Sequence, residues 1–284
     1  MKQWVIVISL CICCVFFYQC EKIEGPYISQ EDAIETTVDF PEYSSAQMQR
    51  HILAEEYTGQ SCSNCPTNGH QPMQRLLEQY GDTLICISIH AGVQAEPSAE
   101  IPNDFTTSVG DELYQEFNDA GTPMAVFNRV PYNGQYPLFY NKWNLAIQAI
   151  DRTIQTAAIQ IITEVNGHQL TIHTKTTILS EQENPIKLAL YIVEDSIVSP
   201  QIDRDQLIEN YIHRHVLRGA VNGTFGTFLN GNGRVEKDKS YMYSKRYSCD
   251  VNWDMNHIHV VAILINQTTR EILQVAENKV VENR

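Results

Sequence analysis

Cys62-Ser63-Asn64-Cys65 is the one close cysteine pair in the 284-residue chain outside its first twenty residues. Two sulfurs at this spacing can form a disulfide. With a strand before the pair and a helix after it, the first sulfur sits at the helix N-terminus, where unsatisfied N–H groups and the macrodipole favour a thiolate. Cys62 is therefore the expected nucleophile. Cys65, one turn further on, is the expected resolving thiol that releases a mixed disulfide. The alternative is a disulfide that only holds structure, but closing so short a loop removes little chain entropy. A zinc role would need a second close pair, and there is none beyond the first twenty residues.

Cys86 lies in an apolar run and is expected to be an inert core thiol, and Cys249 stands alone in the second half. Two His-x-His pairs, His213/His215 and His257/His259, fall in expected strands, where alternate residues share a face. Two such pairs facing each other could hold a metal; histidines facing solvent or satisfied internally are the simpler expectation, and no metal is assigned. There is no phosphate-cradling Gly motif and no serine-hydrolase elbow, so no cofactor is implied. The formal charge is −14, with 20 basic and 34 acidic residues and no Lys/Arg run of five. That balance argues against a nucleic-acid partner, since phosphate binding needs clustered cations.

The elements that must position the cysteines follow from periodicity. His51 to Tyr57 reads as a strand, Thr58 to Ser61 as a turn, and a helix should run from the cysteine pair to Tyr80, disturbed at its start by Pro66, Gly69 and Pro72. Thr83 to Ile89 is an apolar run of central-strand length. A long loop from His90 to Thr107, a helix over Val109 to Phe117, a strand Met124 to Asn128 after Thr122-Pro123 and a closing helix over Leu138 to Ala158 complete an α/β layer. Beyond that the period changes to two. A hairpin turning at Asn166-Gly167 is followed by strand candidates Lys187 to Glu194, Tyr211 to Leu217, Ser240 to Cys249, His257 to Asn266 and Glu271 to Ala276, which together suggest a β-sandwich.

At the start, Lys2 and the apolar run Trp4 to Tyr18 have the pattern of an export signal, slightly short for a membrane span. The run ends at Cys20 and turns polar at Glu21. This resembles a bacterial lipoprotein signal, which implies that residues 1–19 are removed and that Cys20 carries the lipid. In an oxidising compartment Cys62 and Cys65 would tend to pair with each other.

With a strand before the pair, a helix after it and Thr122-Pro123 opening a later strand, residues 50–157 resemble a thioredoxin-like domain. The resemblance implies that Glu56, six residues before Cys62, is a buried carboxylate with a raised pKa that assists proton transfer. It also implies that Pro123 is a cis-proline, with the Thr122 backbone docking an extended substrate by strand addition. Ser61 stands where thioredoxin itself has Trp, and the intervening pair is Ser63-Asn64, so a different redox poise is expected.

Glu55-Glu56-Tyr57-Thr58-Gly59 leading into Cys62-Ser63-Asn64-Cys65-Pro66, with a signal ahead and a β-rich half behind, is similar to the Omp-twenty-eight-related family of outer-membrane lipoproteins. The combined expectation is an α/β thioredoxin-like domain (50–157) on a tether (20–49), followed by an all-β sandwich-like domain (158–284). It would be lipid-anchored in the cell envelope at the outer membrane, on the periplasmic face or the cell surface. Its expected partners are protein thiols or disulfides, as for a thiol-disulfide oxidoreductase. The second expectation is a non-catalytic surface binding or adhesion lipoprotein whose Cys62–Cys65 disulfide is structural.

Overall fold

The computed structural model describes residues 38–118 and 121–281. The signal, Cys20 and the first part of the tether lie outside the described residues. A capped turn, α1 (Ser45–Met48), precedes β1 (Ile52–Thr58), which leads into the cysteine loop. The helix after that loop opens with a π-turn over Pro66–His70 and continues as α2 (Gln71–Tyr80). The cause is Pro72: it has no N–H to return to the Asn68 carbonyl, and its ring crowds that carbonyl. The preceding Gln71 N–H bonds five residues back, to Pro66, and the turn widens.

β2 (Leu84–His90) is buried throughout and runs parallel to β1, with Ile52 opposite Leu84 and Thr58 opposite His90. α3 (Ser108–Phe117) is capped by Thr107, whose hydroxyl accepts from the Gly110 N–H at 2.9 Å. β3 (Met124–Phe127) is antiparallel to β1. α4 (Tyr140–Ala149) stops well short of Ala158. There the Asp151 carboxylate accepts from the Thr153 N–H at 2.8 Å and hydroxyl at 2.6 Å, a local turn that competes with helix. Ile154, which belongs to the apolar stripe in the sequence, consequently falls beyond the helix and is exposed; Leu145, within α4, is exposed on its outer face.

The second half supplies β4 (Ala157–Asn166), β5 (Gln169–Ile178), β6 (Ile186–Glu194), β7 (Ile197–Asp203), β8 (Gln206–His213), β9 (Val216–Ala220), β10 (Thr227–Phe228), β11 (Ser240–Ser248), β12 (Ile258–Asn266) and β13 (Ile272–Lys279). The first hairpin turns on Gly167-His168, one position later than expected, because Asn166 still pairs with Gln169. Gly167 takes the left-handed first position of that two-residue turn at φ +58°.

One sheet runs in the order β13-β12-β6-β9-β2-β1-β3, with β10 added on β6. Its halves join where β2 meets β9 in parallel at Ser88 and Val216, and the Ser88 N–H donates to the His215 carbonyl at 2.7 Å. A separate sheet, β11-β5-β4, packs on the β6-β12 end and makes that end sandwich-like. β6 shows why its sequence is a continuous apolar run. Leu188, Leu190 and Ile192 face Ile159 and Ile172 of the small sheet, while Ala189, Tyr191 and Val193 face a second core that holds Leu113 and Phe117 of α3. A third core packs Ile52, Cys86 and Phe127 against Met73 of α2 and Trp143 of α4. Each large aliphatic side chain enclosed this way contributes roughly 1.5–3 kcal/mol. The fold is mixed α/β, rich in sheet.

Candidate functional site

The cysteine loop is shaped by backbone hydrogen bonds. Cys62 N–H donates to Gly59 O at 3.1 Å, Cys65 N–H to Cys62 O at 3.1 Å, and Ser61 N–H to Gln94 O at 2.9 Å. Gly59 lies so close to the Gln94 backbone that no side chain would fit there. Cys62 and Cys65 form a disulfide with their Cα atoms 5.4 Å apart. Cys65 already has helical backbone angles at the head of the π-turn, whereas Cys62 precedes it. Their relative exposures are 1% and 2%, so neither sulfur is open to solvent.

Three further groups meet behind the loop. The Thr122-Pro123 peptide is cis, and the Thr122 hydroxyl donates to Gln94 Oε1 at 2.6 Å. Glu56 is buried at the end of β1 nearer the cysteines, where burial pushes its carboxyl up to about 7 against the opposing Ser88 hydroxyl, 3.4 Å away. Gly69 lies between them: a Cβ placed on it would sit 2.8 Å from Glu56 Oε1 and 2.9 Å from Pro123 Cβ. Glycine is what lets the first helical turn reach both groups.

Glu56, Cys65, His70, His90, Tyr211 and His213 are among the residues lining a cavity of about 20 Å³, room for a single water. Burial lowers the proton affinity of its histidines, to about 4 for His70 and His213 and well below the ordinary range for His90. They stay neutral near pH 7, so the histidines lining the cavity add no positive charge there that would draw the Glu56 pKa down.

Tyr211, His213 and the nearby Gln201 come from the β7–β8 hairpin, of which only the later part is visible as a strand in the sequence. Pro200 interrupts β7 with a register shift between Ser199 and Gln201, which hides the strand signal. The expected strand Tyr211 to Leu217 breaks at His215, which has φ +55°, and its two parts enter different sheets. His213 and His215 therefore do not share a face. His259 Nδ1 lies 3.0 Å from Glu277 Oε1 and His257 lies by Asp254. Among the described residues no group of three or more His, Cys, Asp and Glu side chains could hold a metal. Cys86 and Cys249 are buried free thiols, pushed up by burial, to about 11 for Cys249.

The family model for Outer membrane protein Omp28 matches residues 110–284, more than half of the chain. The chain belongs to the Omp28 family. Membership places the protein in the cell envelope at the outer membrane. The matched stretch of this Omp28 chain includes Pro123 and the β7–β8 hairpin and begins after the cysteine pair. Among solved structures, HBP35 of Porphyromonas gingivalis is similar at a TM-score of 0.64 and 13% identity, covering 82% of this chain and 76% of its own, which shows a shared fold. A domain of the outer membrane lipoprotein Omp28 from Porphyromonas gingivalis matches at a TM-score of 0.33 and 21% identity, over 45% of this chain and 91% of that one. No curated protein matches in sequence. No described helix is long and apolar enough to cross a membrane.

Proposed function

We propose that this Omp28-family protein is a lipid-anchored thiol-disulfide exchange protein, attached through Cys20, in which residues 50–157 form a thioredoxin-like unit and 158–284 a β-domain. The observation that carries the reading is the convergence at Gly69 of a buried carboxyl of about pKa 7, a cis-proline and the helix that starts at the disulfide. A carboxyl with that proton affinity can both give and take a proton near neutral pH. A purely structural disulfide would have no use for one.

Starting from the disulfide, a thiolate of a partner dithiol attacks Cys62 Sγ. The Cys62–Cys65 bond breaks, and Cys65 leaves and takes a proton from Glu56 by way of the small cavity. The partner's second thiolate then attacks the partner's own sulfur in the mixed disulfide and releases Cys62 as a thiolate, which the first N–H groups of the helix stabilise. Two electrons pass from the partner dithiol to the cysteine pair, and the partner becomes a disulfide. The reverse sequence oxidises a partner.

The test is a redox titration of Cys62/Cys65, with an exchange assay on the wild type and Cys62→Ser. Titration within the range of cellular dithiols and loss of exchange in Cys62→Ser support the proposal. A disulfide that resists reduction far below the glutathione range, with no activity lost on substitution, would leave the structural role and a binding or adhesion function. Labelling with a radioactive fatty acid, lost in Cys20→Ala, tests the anchor.

A further inference from the structure

The chain leaves the large sheet after Glu194 and re-enters it at Val216, and these two residues are partners in the β6–β9 ladder. The segment between them, 195–215, is thus an excursion closed at its base. Within it β7 and β8 form a two-stranded sheet of their own. No residue of β7 or β8 belongs to any of the three apolar cores. Val198 and Ile212, opposite each other across the hairpin, are 58% and 45% exposed, whereas Ser199, Gln201 and His213 are buried against the body of the protein.

What the hairpin lies on is the cysteine loop. The Ile202 N–H donates to Gln60 O at 2.9 Å and the Arg204 N–H to Ser63 O at 2.8 Å. Gln201 Nε2 lies 3.3 Å from both the Gly59 and the Cys62 carbonyl oxygens. The Thr67 hydroxyl donates to Asp203 at 3.3 Å, and the Gln60 amide to the Ser199 hydroxyl at 3.1 Å. The Ile202 N–H of β7 and the Arg204 N–H of the turn that follows it are bonded to carbonyls on either side of Cys62. Main-chain hydrogen bonds of this kind are also what holds an extended peptide on a protein that recognises it.

The attachment is also of a kind that opens locally. An isolated two-stranded hairpin is marginal in water, and segments with few apolar contacts open at a free energy below that of global unfolding. The arms that would swing are defined. Ser196 and His215 hold left-handed backbone angles of +59° and +55°, one on each side of the hairpin. Asp195 ties the two arms together through the Arg214 guanidinium at 3.1 Å and the His215 N–H at 3.2 Å.

We propose that the β7–β8 hairpin is an internal occupant of a docking surface for an extended segment of a partner protein, so that Cys62–Cys65 is reached only when this strap opens. The partner segment presents backbone N–H groups to the Gln60 and Ser63 carbonyls in place of Ile202 and Arg204. The inference rests on the exchange reading for its biological sense, but the strap itself can be tested separately.

The test uses the full-length protein and its Gln201→Ala/Asp203→Ala variant, which removes side-chain ties of the strap and leaves the cysteines and Glu56 intact. The rate of disulfide reduction is measured with dithiothreitol and with a reduced thioredoxin as protein dithiol. Loosening the strap is expected to speed reduction by the protein dithiol about tenfold or more, and by dithiothreitol less. Hydrogen exchange on the wild type is the second measurement and does not depend on the variant folding. Ile202 and Arg204 amides should exchange at least about tenfold faster than those of Leu190 and Val261 in the core strands. Equal reduction rates in the two proteins, or strap amides that exchange only together with the core, overturn the strap. Faster reduction of the loosened variant without any Cys62-dependent exchange keeps the strap and removes the exchange function instead.

Discussion

Arg129 Nη2 lies 2.7 Å from Glu55 Oε1, with neither side chain exposed. Arg129 Nε makes a second contact to Glu55 Oε2 at 3.0 Å, and the rings of Phe117 and Phe225 flank the guanidinium at 4.9 and 5.8 Å. Burial by itself lowers the proton affinity of Arg129, but the Glu55 carboxylate more than reverses this and holds the guanidinium charged. Removing one partner leaves a buried charge alone. Arg129→Met is therefore expected to cost about 3–5 kcal/mol, and Glu55→Gln/Arg129→Met should recover much of that loss. Denaturant unfolding of the three proteins at one pH checks it; a double variant no more stable than Arg129→Met would show that the two side chains are uncoupled.

Glu56 gives a pH-dependent stability with a definite sign. Its folded pKa of about 7 lies above the ordinary 4.5, so the unfolded chain loses this proton first as pH rises. Stability from this group is complete below about pH 4.5 and is lost as pH climbs to about 7. Glu56→Gln removes the effect while keeping an acceptor for the Ser88 hydroxyl. The variant should match the wild type near pH 4 and be more stable by roughly 3 kcal/mol at pH 8. Unfolding midpoints at the two pH values decide the matter, with an unchanged difference between them as the contrary result.

The same carboxyl should leave a mark on the exchange rate. Once rates are divided by the fraction of attacking thiolate, reduction of the wild-type disulfide should slow as Glu56 loses its proton around pH 7. In Glu56→Gln the normalised profile should be flat across that range. A step of equal size in both proteins would assign the proton to another group.

Gly69→Ala tests the convergence itself. The new methyl would press on the Glu56 carboxyl and the Pro123 ring, and overpacking of this kind costs about 1–3 kcal/mol. Gly134→Ala is the comparison, because it has open space around it and only its φ of +78° to resist the change. The Gly69 variant should lose stability and also lower the Glu56-dependent pH effect, which the Gly134 variant should leave alone.

Much of this arrangement was legible in the sequence wherever chemistry and local pattern agreed. β2 is an apolar run bounded by clear breaks and Cys62-x-x-Cys65 is marked by its spacing, whereas Glu56 and Pro123 are marked by the resemblance to a thioredoxin-like domain. α4 is shorter than its apolar rhythm predicts because the Asp151 turn ends the helix before Ile154. The hairpin over the disulfide was only partly visible, and for a physical reason. Its hold on the cysteine loop comes from backbone N–H groups of Ile202 and Arg204, and backbone donors leave no trace in residue type. Gln201, Gly69 and His90 matter through tertiary proximity alone, and no short-range pattern marks them.

The meeting of β2 with β9 bears on how the chain matures. During synthesis the β1–β2 ribbon emerges well over a hundred residues before the strand that pairs beside Ser88, and such distant pairing is slow to form. Until β9 arrives, β2 is an apolar edge with free hydrogen-bonding groups, a template for any passing strand. Until that pairing forms, this edge is the part of the nascent chain most open to mispairing.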